Sequence, residues 1–194
     1  EIQTIAMTAK NEFDMFLIPQ DAPERNVVEF LNPITENLSI MRTLMAPAMV
    51  RVIENNIKNG NEAMRFFEIA NVYLPKALPL TEPPVEKKMI CLGACGAKED
   101  FFAMKASLEA FAGANDLEFV YKRGNVPYLH PGRTADVYCK DVKIGHFGQL
   151  RYEIVDSMNI AGGKKADTKI FIAEIDYATL AGLFKEAIKY VPET

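Results

Sequence analysis

The segment Met64–Leu74 (MRFFEIANVYL) reads as one long β-strand stopped by Pro75, and it narrows the fold of this chain more than any other stretch. A loop marked by Pro79, Pro83 and Pro84 follows it. Then comes a second strand, Lys88–Cys95, whose nearly continuous apolar character places it inside a sheet rather than at its edge. Further strands are expected at Leu117–Tyr121 and Ile170–Ile175, and Arg133–Cys139 and Val142–Leu150 flank Lys140-Asp141 as a tight hairpin turn. Two weaker strands are expected nearer the start, Glu1–Thr8 by its alternation and Val27–Leu31 before the turn signal Asn32-Pro33.

The clearest helix lies between Ser39 and Gly60. Met41, Leu44, Met45, Ala48, Met49, Val52, Ile53 and Ile57 recur at three- and four-residue spacing. A proline in a helix interior costs about 3 kcal/mol, so Pro47 belongs in the first turn of the main helix. Gly60 suits the position just past its end, and Lys58 suits the dipole there. Glu99–Gly113 is a second helix, with Phe102, Leu108 and Phe111 as its expected apolar stripe; Tyr152–Met158 and Tyr177–Ile188 are shorter candidates. Strands in hairpins with helices between them give an α+β class, a mostly antiparallel sheet flanked by helices, in one domain over 1–194.

Motif chemistry is sparse. The sequence has no GxxxxGK[ST], GxGxxG or GxSxG. Gly162-Gly163-Lys164-Lys165 could form an anion nest and is taken as a solvated loop. His130-Pro131-Gly132-Arg133 admits two readings, a ligand clamp with Arg133 as a carboxylate or phosphate fork, or a structural turn with Arg133 salt-bridged locally; the structural turn is the expectation. Glu174 and Asp176 fall on one face of a strand, as an acid/base pair or as exposed carboxylates. Glu68, inside an apolar strand, needs a partner such as an arginine if it is buried. Met41, Met45 and Met49 make a methionine-rich helix face, suited to a core or to a subunit interface.

Cys91, Cys95 and Cys139 form no CxxC pair, and only His130 and His146 could join them on zinc, so no metal site is expected. Unpaired cysteines fit a cytoplasmic location. The sequence begins at Glu1 in strand-like sequence with no initiator methionine or signal peptide, which reads as a piece of a longer polypeptide. No apolar run is long enough to span a membrane. The net charge of -4 weighs against nucleic-acid binding by bulk charge, leaving Lys122, Arg123, Lys164 and Lys165 as a local basic set.

Leu31-Asn32-Pro33-Ile34-Thr35, Ser39-Ile40-Met41-Arg42-Thr43 with Pro47, Phe66-Phe67-Glu68-Ile69-Ala70, His130-Pro131-Gly132-Arg133 and Gly145-His146-Phe147-Gly148-Gln149-Leu150 occur in that order. Together they resemble the β subunit of bacterial phenylalanyl-tRNA synthetase over nearly the whole chain. Asn37, Ala48 and Arg151-Tyr152 depart from the family, which often has Glu, Gly and His-Pro there. The resemblance implies the catalytic-like module of that subunit, with a fold like a class II synthetase core and no chemistry of its own. Active cores hold ATP with an arginine at the end of the first motif 2 strand; the comparable run here, Ala70–Leu74, ends in Leu74. Active motif 3 reads roughly Gly-Leu-Gly-Ile-Glu-Arg; the comparable run is Glu174-Ile175-Asp176-Tyr177-Ala178-Thr179. Two carboxylates replace two glycines, Thr179 replaces the arginine, and no Arg or Lys lies between Lys169 and Lys185.

The expected role is therefore a scaffold with no catalytic, cofactor or metal residue of its own, in a complex that uses ATP and Mg²⁺ elsewhere. Its implied partners are the α subunit, a second αβ pair and tRNA. The helix beyond Pro47 resembles the class II interface helix, making Met45, Met49, Val52, Ile53 and Asn56 the expected subunit interface. Two rivals stand beside this reading. One is a stand-alone enzyme acting through Glu174/Asp176 and His130/Arg133, and the other a nucleic-acid module using the local basic set.

Overall fold

A computed structural model describes residues 1–158 and 168–184. The strands are β1 (Met7–Thr8), β2 (Ile40–Met41), β3 (Met64–Leu74), β4 (Val85–Cys95), β5 (Phe119–Arg123), β6 (Leu129–Cys139), β7 (Val142–Leu150) and β8 (Ile170–Asp176). The helices are α1 (Asn11–Met15), α2 (Ala46–Lys58), α3 (Phe101–Ala114), α4 (Tyr152–Ser157) and α5 (Tyr177–Ala181). Six strands form one sheet in the order β3-β4-β8-β7-β6-β5, every neighbouring pair antiparallel, and β1 and β2 form a small pair of their own. The α+β class stands. β8 comes last in the chain yet fills the middle of the sheet, and its residues from Ile170 to Ile175 are all buried.

Several elements lie where the sequence puts them. β3 has the expected bounds. Pro47 sits in the first turn of α2, and Gly60 beyond its end has φ +88°, a conformation open to glycine at little cost. Lys140 and Asp141 both have positive φ, as a two-residue type I′ hairpin turn requires. Asp100 caps α3 by accepting from the Ala103 amide at 2.7 Å.

The sheet carries a core on each face. On one, Met45 at the cap of α2 and Met49 and Ile53 within it are buried with Cys91, Cys95 and Ile172. The helix approaches β4 so closely at Gly93 that a Cβ there would lie 2.6 Å from the Met49 Cγ. On the other, Met104, Leu108 and Ala112 of α3 pack with Phe147, Phe171 and Ala173. Each methionine, leucine, isoleucine and phenylalanine among them contributes about 1.5–3 kcal/mol by burial. All three cysteines are buried and unpaired, acting as small apolar groups.

Four expectations need correction. The expected strand Glu1–Thr8 shrinks to Met7–Thr8, because the segment before it spends its amides elsewhere: Ile2 donates to the Phe67 carbonyl and Thr4 to the Glu68 carboxylate. Val27–Leu31 makes only the single bridge Glu29–Ile40. The stripe of α3 is rotated, with Phe102 72% exposed while Met104, Leu108 and Ala112 are buried. His130–Arg133 is not a turn but part of β6, where the register against β7 slips between Leu129 and Thr134; the proline and glycine are absorbed by a bulge. The expected helix Tyr177–Ile188 ends at Ala181 among the described residues, and its part beyond Phe184, with the expected loop Gly162–Lys165, lies outside them.

Candidate functional site

Between the sheet and the start of α2 lies a cleft of about 490 Å³, walled by Leu44, Val72, Leu74, Met89 and Ile144. Its charged lining comes from Glu24, Lys87, Lys143, His146, Glu174 and Asp176. The register of the sheet decides what these groups do. β7 and β8 pair His146 opposite Glu174, and β4 lies on the other side of β8 with Met89 opposite Asp176.

Glu174 is 2% exposed. Its Oε1 accepts from the Met45 amide at 2.6 Å and the Ala46 amide at 3.0 Å, the free donors at the start of α2. Its Oε2 accepts from the Tyr128 hydroxyl and lies 3.4 Å from His146 Nε2. The same His146 nitrogen is 2.5 Å from the Tyr128 oxygen. Burial pushes this carboxyl upward, but the bonds and charge of His146, with the Tyr128 hydroxyl and the Met45 amide, hold it below the usual carboxylate range. Tyr128 is fully buried, and burial first, then the Glu174 charge, raises its hydroxyl far above the usual phenol range. The pair is thus an ionised acid and a neutral phenol, both committed to fixing the helix.

Asp176 is committed as well. It accepts from the Thr179 amide at 3.0 Å and its hydroxyl at 2.5 Å, capping α5, and pairs with Lys87 at 2.9 Å. Burial opposes this ionisation, and the Thr179 bonds and Lys87 overcome it, so its carboxyl stays below the ordinary range. Lys143 pairs with Asp136 at 2.8 Å. Both lysines of the cleft therefore already face carboxylates. Among the described residues, no arginine lines the cleft and no cluster of His, Cys, Asp and Glu is arranged to hold a metal.

The expected pairs of a stand-alone enzyme are not brought together, since Glu174 and Asp176 line the cleft and His130 and Arg133 do not. Arg133 donates to Gln149 Oε1 at 2.7 Å and to the Tyr152 hydroxyl at 3.1 Å, hydrogen bonds to neutral groups rather than a local salt bridge. The expected interface set divides. Met45, Met49 and Ile53 are 0% exposed, so their surface is already used by this chain's own sheet and the expectation is corrected for them; Val52 and Asn56 remain half-buried on the outer side of α2. Lys122 lies over the Tyr138 ring at 4.3 Å, and Lys164 and Lys165 fall outside the described residues.

Glu68 has the arginine it needed. It is 1% exposed and lies 3.5 Å from Arg42, which also donates to the Asn71 carbonyl and to Thr4 Oγ1. Thr4 in turn donates to the Glu68 carboxylate, tying the start of the chain to β3. Tyr128 and His146 were not foreseen as partners of Glu174. Their only sequence signal is that His146 and Glu174 sit within strands, and the register that aligns them is a property of the folded sheet.

Comparison with known proteins agrees with the ordered motifs. The family model described as phenylalanyl tRNA synthetase beta chain CLM domain matches residues 1–177. The chain is similar to the phenylalanine–tRNA ligase beta subunit of Clostridium tetani, 33% identical over 90% of this chain and 21% of the relative. It is likewise similar to that of Clostridium acetobutylicum, 31% identical over 84% of this chain and 20% of the relative, and of Geobacter metallireducens, 28% identical over 99% and 25%. The chain thus spans about a fifth to a quarter of the length of these relatives. The chain belongs to the phenylalanyl-tRNA synthetase beta chain CLM domain family.

Proposed function

We propose that this chain is a non-catalytic structural module of the β subunit of a phenylalanine–tRNA ligase, and that it packs against an α subunit carrying the chemistry. The complex, of two αβ pairs, uses ATP and Mg²⁺ to attach phenylalanine to its tRNA. Its sheet and helices are read here as a class II synthetase core whose cleft has been turned to internal use.

The observation that carries this reading is the commitment of Glu174. A triphosphate needs several cationic or N–H donors aimed at it. The amides at the start of α2 instead face the Glu174 carboxylate, and Lys87 and Lys143 face Asp176 and Asp136. The clamp positions of the resemblance hold Leu74 and Thr179, and two carboxylates would repel bound phosphate.

The surface offered to the α subunit is the outer side of α2, where Ala48, Arg51, Val52 and Asn55 with Ile5 and Met7 line a shallow groove of about 430 Å³. Coexpression of the full-length β chain with its matching α subunit tests this. The α subunit is expected to co-purify, and Val52→Asp is expected to abolish co-purification without lowering the melting temperature of the chain. Undiminished assembly of that variant would refute the interface. Tight ATP binding by the β chain alone would refute the scaffold reading.

A further inference from the structure

The cleft between the sheet and the start of α2 keeps one charge that the fold leaves unmatched. Lys87 meets Asp176, Lys143 meets Asp136, and Glu174 takes two amides at the start of α2, the Tyr128 hydroxyl and His146. Glu24 lines the same cleft and is half-buried, and among the described residues its carboxylate has no donor and no cation. The neighbouring Arg25 is spent elsewhere, on the Ile18 and Pro19 carbonyls and on Asp14. Glu24 is also held in place. It stands in the short 3₁₀ turn Pro23–Arg25, entered through a proline, and its carbonyl accepts from the hydroxyl of the buried Thr43 at 2.6 Å. Its charge is among those that raise the buried Tyr128 hydroxyl.

Three carboxylates, Glu24, Glu174 and Asp176, thus line the cavity against two lysines, and one of those lysines is shared with Asp136 outside the lining. A half-buried carboxylate among like charges favours a cation beside it. The rest of the cleft is apolar. Leu44, Leu74 and Met89 are only half-buried, so each retains surface for a further apolar group to cover, next to the buried Val72 and Ile144. At about 490 Å³ the cavity has the size and mixed lining of a small-molecule site. A metal ion is a poor match, because no three His, Cys, Asp or Glu side chains among the described residues are placed to hold one. A phosphate or a carboxylate would meet the excess negative charge.

We infer that this cleft binds a small organic cation, a protonated amine with an apolar body and no acidic group. Glu24 accepts from the ammonium, and Leu44, Leu74 and Met89 cover the body. A hydrogen bond between the two charged groups is of the strong kind, and the apolar contact keeps water from it. The site goes beyond the scaffold role and does not depend on it, since the Glu174 network that fixes α2 is left as it is and the outer groove of α2 shares no residue with the cleft wall.

The test is photolabelling of the full-length β chain with 4-azidophenylethylamine, followed by peptide mapping. The label is expected on the peptides that carry Leu44, Leu74 or Met89, and 2-phenylethylamine is expected to protect them with a Kd below about 1 mM. Phenylalanine adds a carboxylate to that skeleton and 2-phenylethanol replaces its ammonium, so each should protect about tenfold more weakly or worse. In E24Q, protection by 2-phenylethylamine should weaken roughly tenfold to a hundredfold, and unchanged melting of the variant shows that it folds. The comparison of the three compounds on the native chain needs no variant. No label on those peptides, equal protection by phenylalanine or 2-phenylethanol, or unchanged protection in E24Q would overturn the inference. ATP binding and co-purification of the α subunit are scored separately, so failure of the scaffold reading and failure of this site are told apart.

Discussion

Glu174→Gln keeps the shape of the side chain at the centre of the cleft and removes its charge. In the native protein the carboxylate takes two amides of α2, the Tyr128 hydroxyl and His146. A hydrogen bond to a charged group contributes about 1.5–3 kcal/mol. The glutamine carbonyl can still accept from Met45 and Ala46, but its NH₂ group then faces the Tyr128 hydroxyl and His146. Breaking a buried charged pair from one side costs about 3–5 kcal/mol, and 1 kcal/mol moves the melting temperature of a chain this size by about 2–4 °C. E174Q should therefore melt roughly 6–20 °C below the native chain by calorimetry near neutral pH. The pH dependence follows from the sign of the shift. The folded carboxyl of Glu174 lies below its ordinary 4.5, so its stabilisation is complete above that value and is lost as the pH falls through the lower folded one. The native chain should lose this contribution in acid and E174Q should not, so their melting temperatures converge there. A difference under about 2 °C at neutral pH, or parallel curves into acid, would show that Glu174 is not what fixes α2.

Other substitutions separate core from surface. Met49→Ala should cost about 2–5 kcal/mol in chemical denaturation, while Val52→Asp on the neighbouring face should cost little. Arg42→Met strands the Glu68 charge and should cost about 3–5 kcal/mol, and Arg42→Met with Glu68→Leu should recover most of it in a double-mutant cycle. Gly145→Ala places a Cβ 2.1 Å from the Glu174 carbonyl, a backbone clash that should cost more than the about 1–3 kcal/mol of ordinary overpacking and show as loss of soluble protein.

The limits of the sequence reading are physical. β3 ends where Pro75 removes a ladder donor, and α2 is bracketed by Pro47 and Gly60, so local chemistry suffices for both. In α3 the bulk of the side chains and their helical period point to different faces, and the period decides. Met104, Leu108 and Ala112 follow the helical spacing with a small residue among them, whereas Phe102 and Phe111 are larger and lie off that face. The two apolar sides of α2 look alike in sequence, and only contact with Gly93 and the cysteines of β4 shows which one is the core. His130-Pro131-Gly132-Arg133 has the residue types of a turn, but the β6–β7 register absorbs them as a bulge. Glu174 carried the least information. Its partners lie as far as 129 residues away, and nothing local distinguishes an acid that caps a distant helix from one that catalyses.

Active-site titration of the assembled αβ complex tests the central claim most directly, by counting tightly held phenylalanyl-adenylate per αβ pair. One adenylate per pair, falling to none when the α subunit's site is inactivated, is the expected result. Two per pair, or any adenylate remaining on the β chain after that inactivation, would contradict it.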